Sequence, residues 1–314
     1  MKDLSAVDTS LIQKEVLEGL SKPQKRLPSK YFYDEKGSDL FEQITRLDEY
    51  YLTRCEKEIL QSNIKEIAER IGSEVMLIEL GSGSSYKTRF LLEELADLST
   101  YTPVDISEEF LLKTVNRLRL QYPKISIIPV FADYTSRFEL PVSKNSRKKQ
   151  VVFFPGSTIG NFDPEQAGAF LNNIANITAD ESEMLVGVDL KKDPKVLEAA
   201  YNDRQGVTAQ FNKNILRHIN KALDANFDVE MFNHHAFYNS EAGRIEMHLV
   251  SSQKQRVTVG DKVIDFEKDE SIHTENSYKY SLEEFEELVA DWYAVEKVWT
   301  DEKGYFSLQY LKKK

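Results

Sequence analysis

One cysteine, Cys55, stands in 314 residues. No disulfide can form within the chain, so a reducing, cytoplasmic setting is expected. Glycine and proline are sparse, at 13 and nine positions, which excludes a collagen-like or low-complexity chain. Basic residues are outnumbered by acidic ones, 41 to 52, leaving a net charge of −11. That argues against a nucleic-acid partner, which wants a basic footprint. No apolar run reaches the roughly 18 residues a bilayer crossing needs, and no cationic-then-apolar segment opens the chain, so no membrane partner is expected. Internal repeats are absent. The five histidines show no metal-ligand spacing: His234 and His235 are adjacent, and a strand would send them to opposite faces. No metal is expected.

What is present is a globular balance, 41% hydrophobic and 30% charged, at a length that suits one large domain or two smaller ones. Residues 9–54 read as polar and helical. From about residue 55 apolar runs alternate with helix-length segments: VMLIEL (75–80), STYTPVD (99–105), ISIIPVF (125–131), QVVFFPG (150–156) and EMLVGVDL (183–190). Between the second and third, Leu111, Leu112, Val115 and Leu118 recur at helical spacing. This order predicts βαβ crossovers and an α/β fold with a parallel sheet. After Pro194 a long helical stretch, KVLEAAYNDRQGVTAQFNKNILRHINKAL, gives way to strand-like alternation with NSEAGR and VGDK as hairpin turns. SLEEFEELVADWY returns to an amphipathic helix, and YAVEKVWTD and GYFSLQYLK are expected to complete the parallel-type sheet. Two lobes are therefore expected: a core of residues 55–194 and 280–314, and a discontinuous lobe of 9–54 and 195–279. The Lys144–Lys149 cluster and the LKKK tail read as solvated charge.

LIELGSGSS (77–85) joins a strand, a glycine turn and a helix start. Gly81 and Gly83 allow close backbone approach to a ligand. Asp105 closes the next strand, where a ribose-binding acid belongs, and Asp133 closes the one after. A nicotinamide cofactor would want a third glycine where Ser84, Ser85 and Tyr86 stand. S-adenosylmethionine (SAM) has no pyrophosphate and suits the pattern better, with Lys87 meeting its carboxylate. The plainer alternative is that such acids only cap helices. The fourth strand ends in FFPGSTIGNFDPEQ, rich in donors and poor in bulk.

The stretches KYFYDEKGSDLFEQIT, LDEYYLTR, ELGSGSSYKT, FFPGSTIGNF, AYNDRQGVTAQFNKN, RIEMHL and HTENSYKYS resemble the SAM-dependent L-histidine Nα-methyltransferases of ergothioneine biosynthesis, over nearly the whole chain from about Leu27. The resemblance implies a class I (Rossmann-like) SAM-dependent methyltransferase core with a second α+β substrate-binding domain. It implies SAM contacts at Gly81, Gly83, Lys87, Asp105, Asp133 and Tyr134, the last where the family often has Phe. It further implies a clamp on the amino-acid end at Gly156, Asn161 and Tyr201, with Tyr33 near the amine. The imidazole contacts would be Tyr50, Glu275 and Ser277, with Met247 lining the same pocket. Met247, Tyr50 and Tyr201 would each also pass as packing residues. Glu275 and Ser277 fit that plainer reading least, because period two sets them on one strand face.

The implied reaction is methylation of the histidine α-amine, up to the trimethylated betaine, with Tyr33 and Asn161 as catalytic residues. The implied partner is L-histidine alone, bound by a monomer. Other readings remain open: a methyltransferase of another amino acid or small amine, a nicotinamide-dependent oxidoreductase, or a SAM-binding protein without catalysis.

Overall fold

The computed structural model describes residues 9–95, 97–141 and 149–314; the basic cluster up to Lys148 lies outside them. The chain divides into two compact units, one of residues up to Tyr50 with Asp193–Asn276, the other of Tyr51–Lys192 with Ser277–Lys314. Each boundary differs by two to four residues from the expected one, for a local reason. Tyr51 opens the helix Tyr51–Ile71, so residues 51–54 go with it. Lys192, Ser277 and Lys279 all join one hydrogen-bond network around Asp189, which holds them to the larger unit.

In the larger unit an eight-stranded sheet runs, among the described residues, in the order Tyr293–Thr300, Phe306–Lys313, Glu183–Asp189, Gln150–Phe154, Met76–Leu80, Thr100–Asp105 and Ser126–Ile127, with Val130–Phe131 also pairing to Thr100–Asp105. The strands from Met76 to Asp189 pair in parallel. All five residues of Met76–Leu80 are buried, as a strand covered on both faces requires. Helix Pro164–Ile177 and helix Leu282–Val289 pack together, and Phe170, Ile174 and Phe285 share a core with Ile78, Val152 and Val186.

ISIIPVF yields two short strands rather than one, interrupted where Pro129 offers no N–H to a ladder. The last two strands join antiparallel, correcting the parallel expectation. The link between them, residues 301–305, is far too short for a crossover, which takes a dozen residues or more. Leu112 is 39% exposed while Leu111, Val115 and Leu118 are buried, so the helix Glu108–Gln121 presents a narrower apolar stripe than its sequence suggested. Three of the lysines read as solvated are engaged, Lys314 by donating to the Ala290 carbonyl. Lys149 pairs with Glu183 and donates to the Ile71 carbonyl at 3.0 Å. Lys313 donates to the carbonyls of Ala175 and Thr178 at 2.6 and 3.2 Å, where helix Pro164–Ile177 leaves them unpaired.

Among its described residues the smaller unit holds a four-stranded sheet in the order Lys25–Arg26, Ser271–Tyr278, Arg244–Ser251 and Phe232–Asn239, and a separate hairpin, Gln255–Val259 with Lys262–Phe266. The long helical stretch after Pro194 is two helices, Pro194–Tyr201 and Val207–Leu223. Between them Gly206 adopts φ +70°, and the Asp203 carboxylate accepts from the N–H groups of Val207 and Thr208 at 2.9 and 2.8 Å. A side chain that caps a second helix ends the first. Helix Glu35–Ile44 packs on Val207–Leu223, tied by Asn214 donating to Asp34 at 2.7 Å. No helix among the described residues is long and apolar enough to cross a membrane.

Candidate active site

The glycine turn follows the strand Met76–Leu80, with Gly81 at φ +68° and Gly83 at φ +48°. The Asp105 carboxylate accepts from the Gly83 N–H at 2.9 Å through one oxygen and from the Ser107 N–H at 3.0 Å through the other. Burial raises its pKa against those two donors. A Cβ on Gly83 would meet nothing within 4 Å, so the turn opens on free space. A Cβ on Gly81 would lie 3.3 Å from the Tyr134 hydroxyl. The Tyr134 ring sets its edge on Phe154 and Phe170, with centroids 5.8 and 6.2 Å away, which fixes its plane beside the turn. Asp133 accepts from the N–H of Thr135 at 3.0 Å and from its hydroxyl.

Glu56, on the helix Tyr51–Ile71, is fully buried. It pairs with Lys87 and accepts from the Gly156 N–H, so one carboxylate joins the glycine turn to the loop after the fourth strand. Asn161 closes the 3₁₀ turn Thr158–Asn161 in that loop. Gly160 is required there, since a Cβ would come within 2.7 Å of the Tyr278 carbonyl. Behind the loop Asp189 is buried and accepts from Tyr51, Lys192 and Lys279 at 2.8, 2.6 and 2.7 Å. Burial would raise the Asp189 pKa, but the two ammonium groups outweigh it and hold the carboxyl low. Lys279 also donates to the Ser277 hydroxyl at 2.7 Å.

In the smaller unit the rings of Tyr33, Phe41, Tyr50 and Tyr201 form a chain, with successive centroids 5.8, 6.3 and 6.4 Å apart and each pair edge-to-face. Phe211 also meets Tyr33, at 5.7 Å. Phe41 thereby joins Tyr33 to Tyr50, and Tyr50 joins Tyr201. Glu275 and Ser277 lie on one strand, Ser271–Tyr278, and alternation gives them the same face.

A family model described as "Histidine-specific methyltransferase, SAM-dependent" matches residues 12–313. The chain belongs to this family. It is 41% identical to the histidine N-alpha-methyltransferase of Mycobacterium tuberculosis over 95% of its own length and 93% of that protein's. It is 32% identical to ergothioneine biosynthesis protein 1 of Neurospora crassa over 91% of this chain, which spans 33% of that longer protein. A 4-dimethylallyltryptophan N-methyltransferase of Aspergillus fumigatus is 28% identical over 89% of this chain and 86% of that protein. Among solved structures a Pyrococcus horikoshii protein matches 90% of this chain and 100% of its own, with a TM-score of 0.51 and 12% identity, a likeness of fold alone. The larger unit has the class I methyltransferase fold.

For this SAM-dependent methyltransferase the residues at the glycine turn fit the cofactor. The free space in front of Gly83 leaves room for a ligand against the backbone, and Asp105, a carboxylate acceptor, ends the neighbouring strand. Lys87 spends part of its donor capacity on Glu56, a partner that nothing in the local sequence around Lys87 discloses.

Met247 is 1% exposed and shares its strand face with Ile245 and Leu249. Glu246 and His248 take the opposite face, where His248 stacks on His273 at 4.6 Å. His273 shares its face with Glu275, so alternation does not by itself bring Met247 and Glu275 together. Pairing the two strands overcomes the unhelpful histidine spacing: atoms of Glu246, His248 and His273 lie within 4.8 Å of one another, a grouping that could hold a metal ion. Glu246 is already met by Arg244, Asn239 and His248 at 2.7, 2.9 and 3.0 Å, and His273 bonds the Glu275 carbonyl at 3.0 Å. Each of the three side chains thus also has hydrogen-bond partners within the protein. Burial lowers the His273 pKa to about 4, so this ring is neutral at pH 7.

Proposed function

We propose that the protein transfers the methyl group of SAM to the α-amine of L-histidine, up to three times, giving the trimethylated betaine. The observation that carries this reading is the pair Glu275 and Ser277 on one strand face, in a chain 41% identical to a histidine N-alpha-methyltransferase. A neutral imidazole has one donor and one acceptor nitrogen, which a carboxylate and a hydroxyl can satisfy. Amino acids lacking the ring would leave those groups unpaired, at about 1–3 kcal/mol each.

SAM, when bound, supplies an electrophilic methyl group. In this reading Gly81, Gly83, Lys87, Asp105, Asp133 and Tyr134 hold it, while Gly156, Asn161 and Tyr201 clamp the amino-acid end of the substrate and Tyr50, Met247, Glu275 and Ser277 enclose the ring. The α-amine reacts as the free base. Tyr33 relays its proton, and Asn161 orients the amine for in-line attack, so positioning supplies most of the rate. The enzyme works as a cytoplasmic monomer with no nucleic-acid or membrane partner.

The test is mass spectrometry of the purified protein incubated with SAM and each of the twenty amino acids separately. Methylated histidine alone, progressing to the trimethyl product, is expected. Methylation of a different amino acid would overturn the reading of Glu275 and Ser277, and no methylation at all would overturn the proposed activity.

A further inference from the structure

His234 lies on the strand Phe232–Asn239, on the face it shares with the buried Phe232 and Ala236. Each of its ring nitrogens meets a group that can play one role only. Nε2 lies 2.9 Å from the Tyr201 carbonyl, which can only accept, so Nε2 carries the proton. Nδ1 lies 2.9 Å from Nδ2 of Asn212, which can only donate, so Nδ1 presents its lone pair. The Asn212 amide has one orientation, because the same nitrogen donates to the His248 carbonyl at 3.0 Å while its oxygen accepts from the Thr274 hydroxyl at 2.7 Å. His234 is therefore a neutral ring in a single tautomer, and burial lowers its pKa in the same sense.

Tyr201 is the last residue of the helix Pro194–Tyr201, whose final carbonyls have no partner within the helix. Helix and strand are tied at three points. His234 donates to the Tyr201 carbonyl, Asn202 donates to the Ala236 carbonyl at 3.0 Å, and the Tyr238 N–H donates to the Glu198 carboxylate at 3.0 Å. Of these, the His234 bond falls on the residue whose ring meets Tyr50 edge-to-face.

We propose that His234 is a positioning residue for the substrate clamp: it ties the Tyr201 backbone to the strand and so sets the direction in which the Tyr201 side chain leaves the helix. The carbonyl and the ring of Tyr201 hang from the same Cα, so a backbone that swings there carries the ring with it. Asn212 acts one step further back, by keeping the proton on Nε2. In the other tautomer a ring lone pair would face the Tyr201 carbonyl, and a ring N–H would face the Asn212 amide N–H.

This inference rests on the reading of Tyr201 as a contact to the amino-acid end of histidine, and its test keeps the two apart. Tyr201→Phe is measured first; an unchanged KM for histidine would refute the clamp, and this inference with it. With that KM raised, His234→Leu, His234→Gln and the double variant His234→Leu with Tyr201→Phe are compared. His234→Leu is expected to raise the KM for histidine about fivefold, with kcat and the KM for SAM within about twofold. His234→Gln, whose amide can place an N–H where Nε2 stands, should recover the wild-type KM to within about twofold. The double variant should match Tyr201→Phe alone, because His234 acts through that side chain. An unchanged KM in a folded His234→Leu, equal losses in the Leu and Gln variants, or effects that multiply in the double variant would overturn the proposal while leaving the clamp intact.

A second measurement needs no apolar variant. In the ¹⁵N NMR spectrum of the wild-type protein with ring-labelled histidines at neutral pH, the signals that His234→Gln removes should be those of a ring protonated on Nε2 alone. A proton on Nδ1, or on both nitrogens, would overturn it.

Discussion

The Glu56 carboxylate accepts the backbone N–H of Gly156 through both oxygens, at 2.9 and 3.0 Å, although the two residues are 100 positions apart. The same carboxylate holds Lys87. Glu56→Gln keeps one acceptor for Gly156 but removes the charge opposite Lys87. It should cost about 1–3 kcal/mol, less than a fully buried pair because Lys87 is part-exposed, and weaken SAM binding about tenfold. Calorimetric titration with SAM beside a denaturant midpoint measures both. Unchanged SAM affinity in a folded variant would show that Glu56 only braces the fold.

The two turn glycines should fail in different ways. Alanine at either must hold a left-handed backbone, at a cost of about 1–2 kcal/mol. Gly83→Ala adds its methyl to open space in front of the turn, so melting should drop by only a few degrees while SAM affinity falls tenfold or more. Gly81→Ala presses on Tyr134 and should lose more stability than Gly83→Ala. Equal losses of stability from both would contradict the close contact at Tyr134.

Glu79, one residue from the end of the strand Met76–Leu80, is 1% exposed and accepts from the Tyr101 hydroxyl. Burial, working against its hydrogen bonds, raises its pKa from 4.5 to about 7. Because the folded state prefers the protonated form, this contribution is full below pH 4.5 and is lost as pH rises through about 7, on the order of 3 kcal/mol in all. Glu79→Gln should remove that slope. Chemical denaturation of both proteins at intervals from pH 4.5 to 8 measures it, and parallel curves would refute the assignment.

Tyr33→Phe keeps the ring against Phe41 and Phe211 and removes the hydroxyl. Single-turnover methylation should slow by less than about a hundredfold, since relaying a proton is a smaller share of the rate than positioning. Complete loss with SAM binding intact would make Tyr33 an obligatory base.

The parallel strands and the glycine turn were legible because period and turn chemistry are local. Gly81, Gly83 and Asp105 could be read together because a βαβ unit fixes their spacing. Glu56 and Phe41 were not, because each gains its role from a partner on another element. A helical Glu at position 56 looks like a solvated residue until Gly156 and Lys87 fold onto it. The His248–His273 stack was invisible for the same reason: strand pairing, not sequence spacing, creates it. The direction of the last two strands could have been read from the five residues between them. The break at Asn202–Gly206 could have been read from Asp203 and Gly206, which together end one helix and cap the next.

The strand Phe306–Lys313 lies between Tyr293–Thr300 and Glu183–Asp189, so residues made late in synthesis fill an inner place in the sheet. Until they leave the ribosome, Glu183–Asp189 is an open edge carrying Met184, Leu185, Val186 and Val188. A nascent chain therefore waits with this apolar edge unpaired for more than a hundred residues of translation. Its window for chaperone capture or aggregation is set by the speed of the ribosome rather than by the speed of folding.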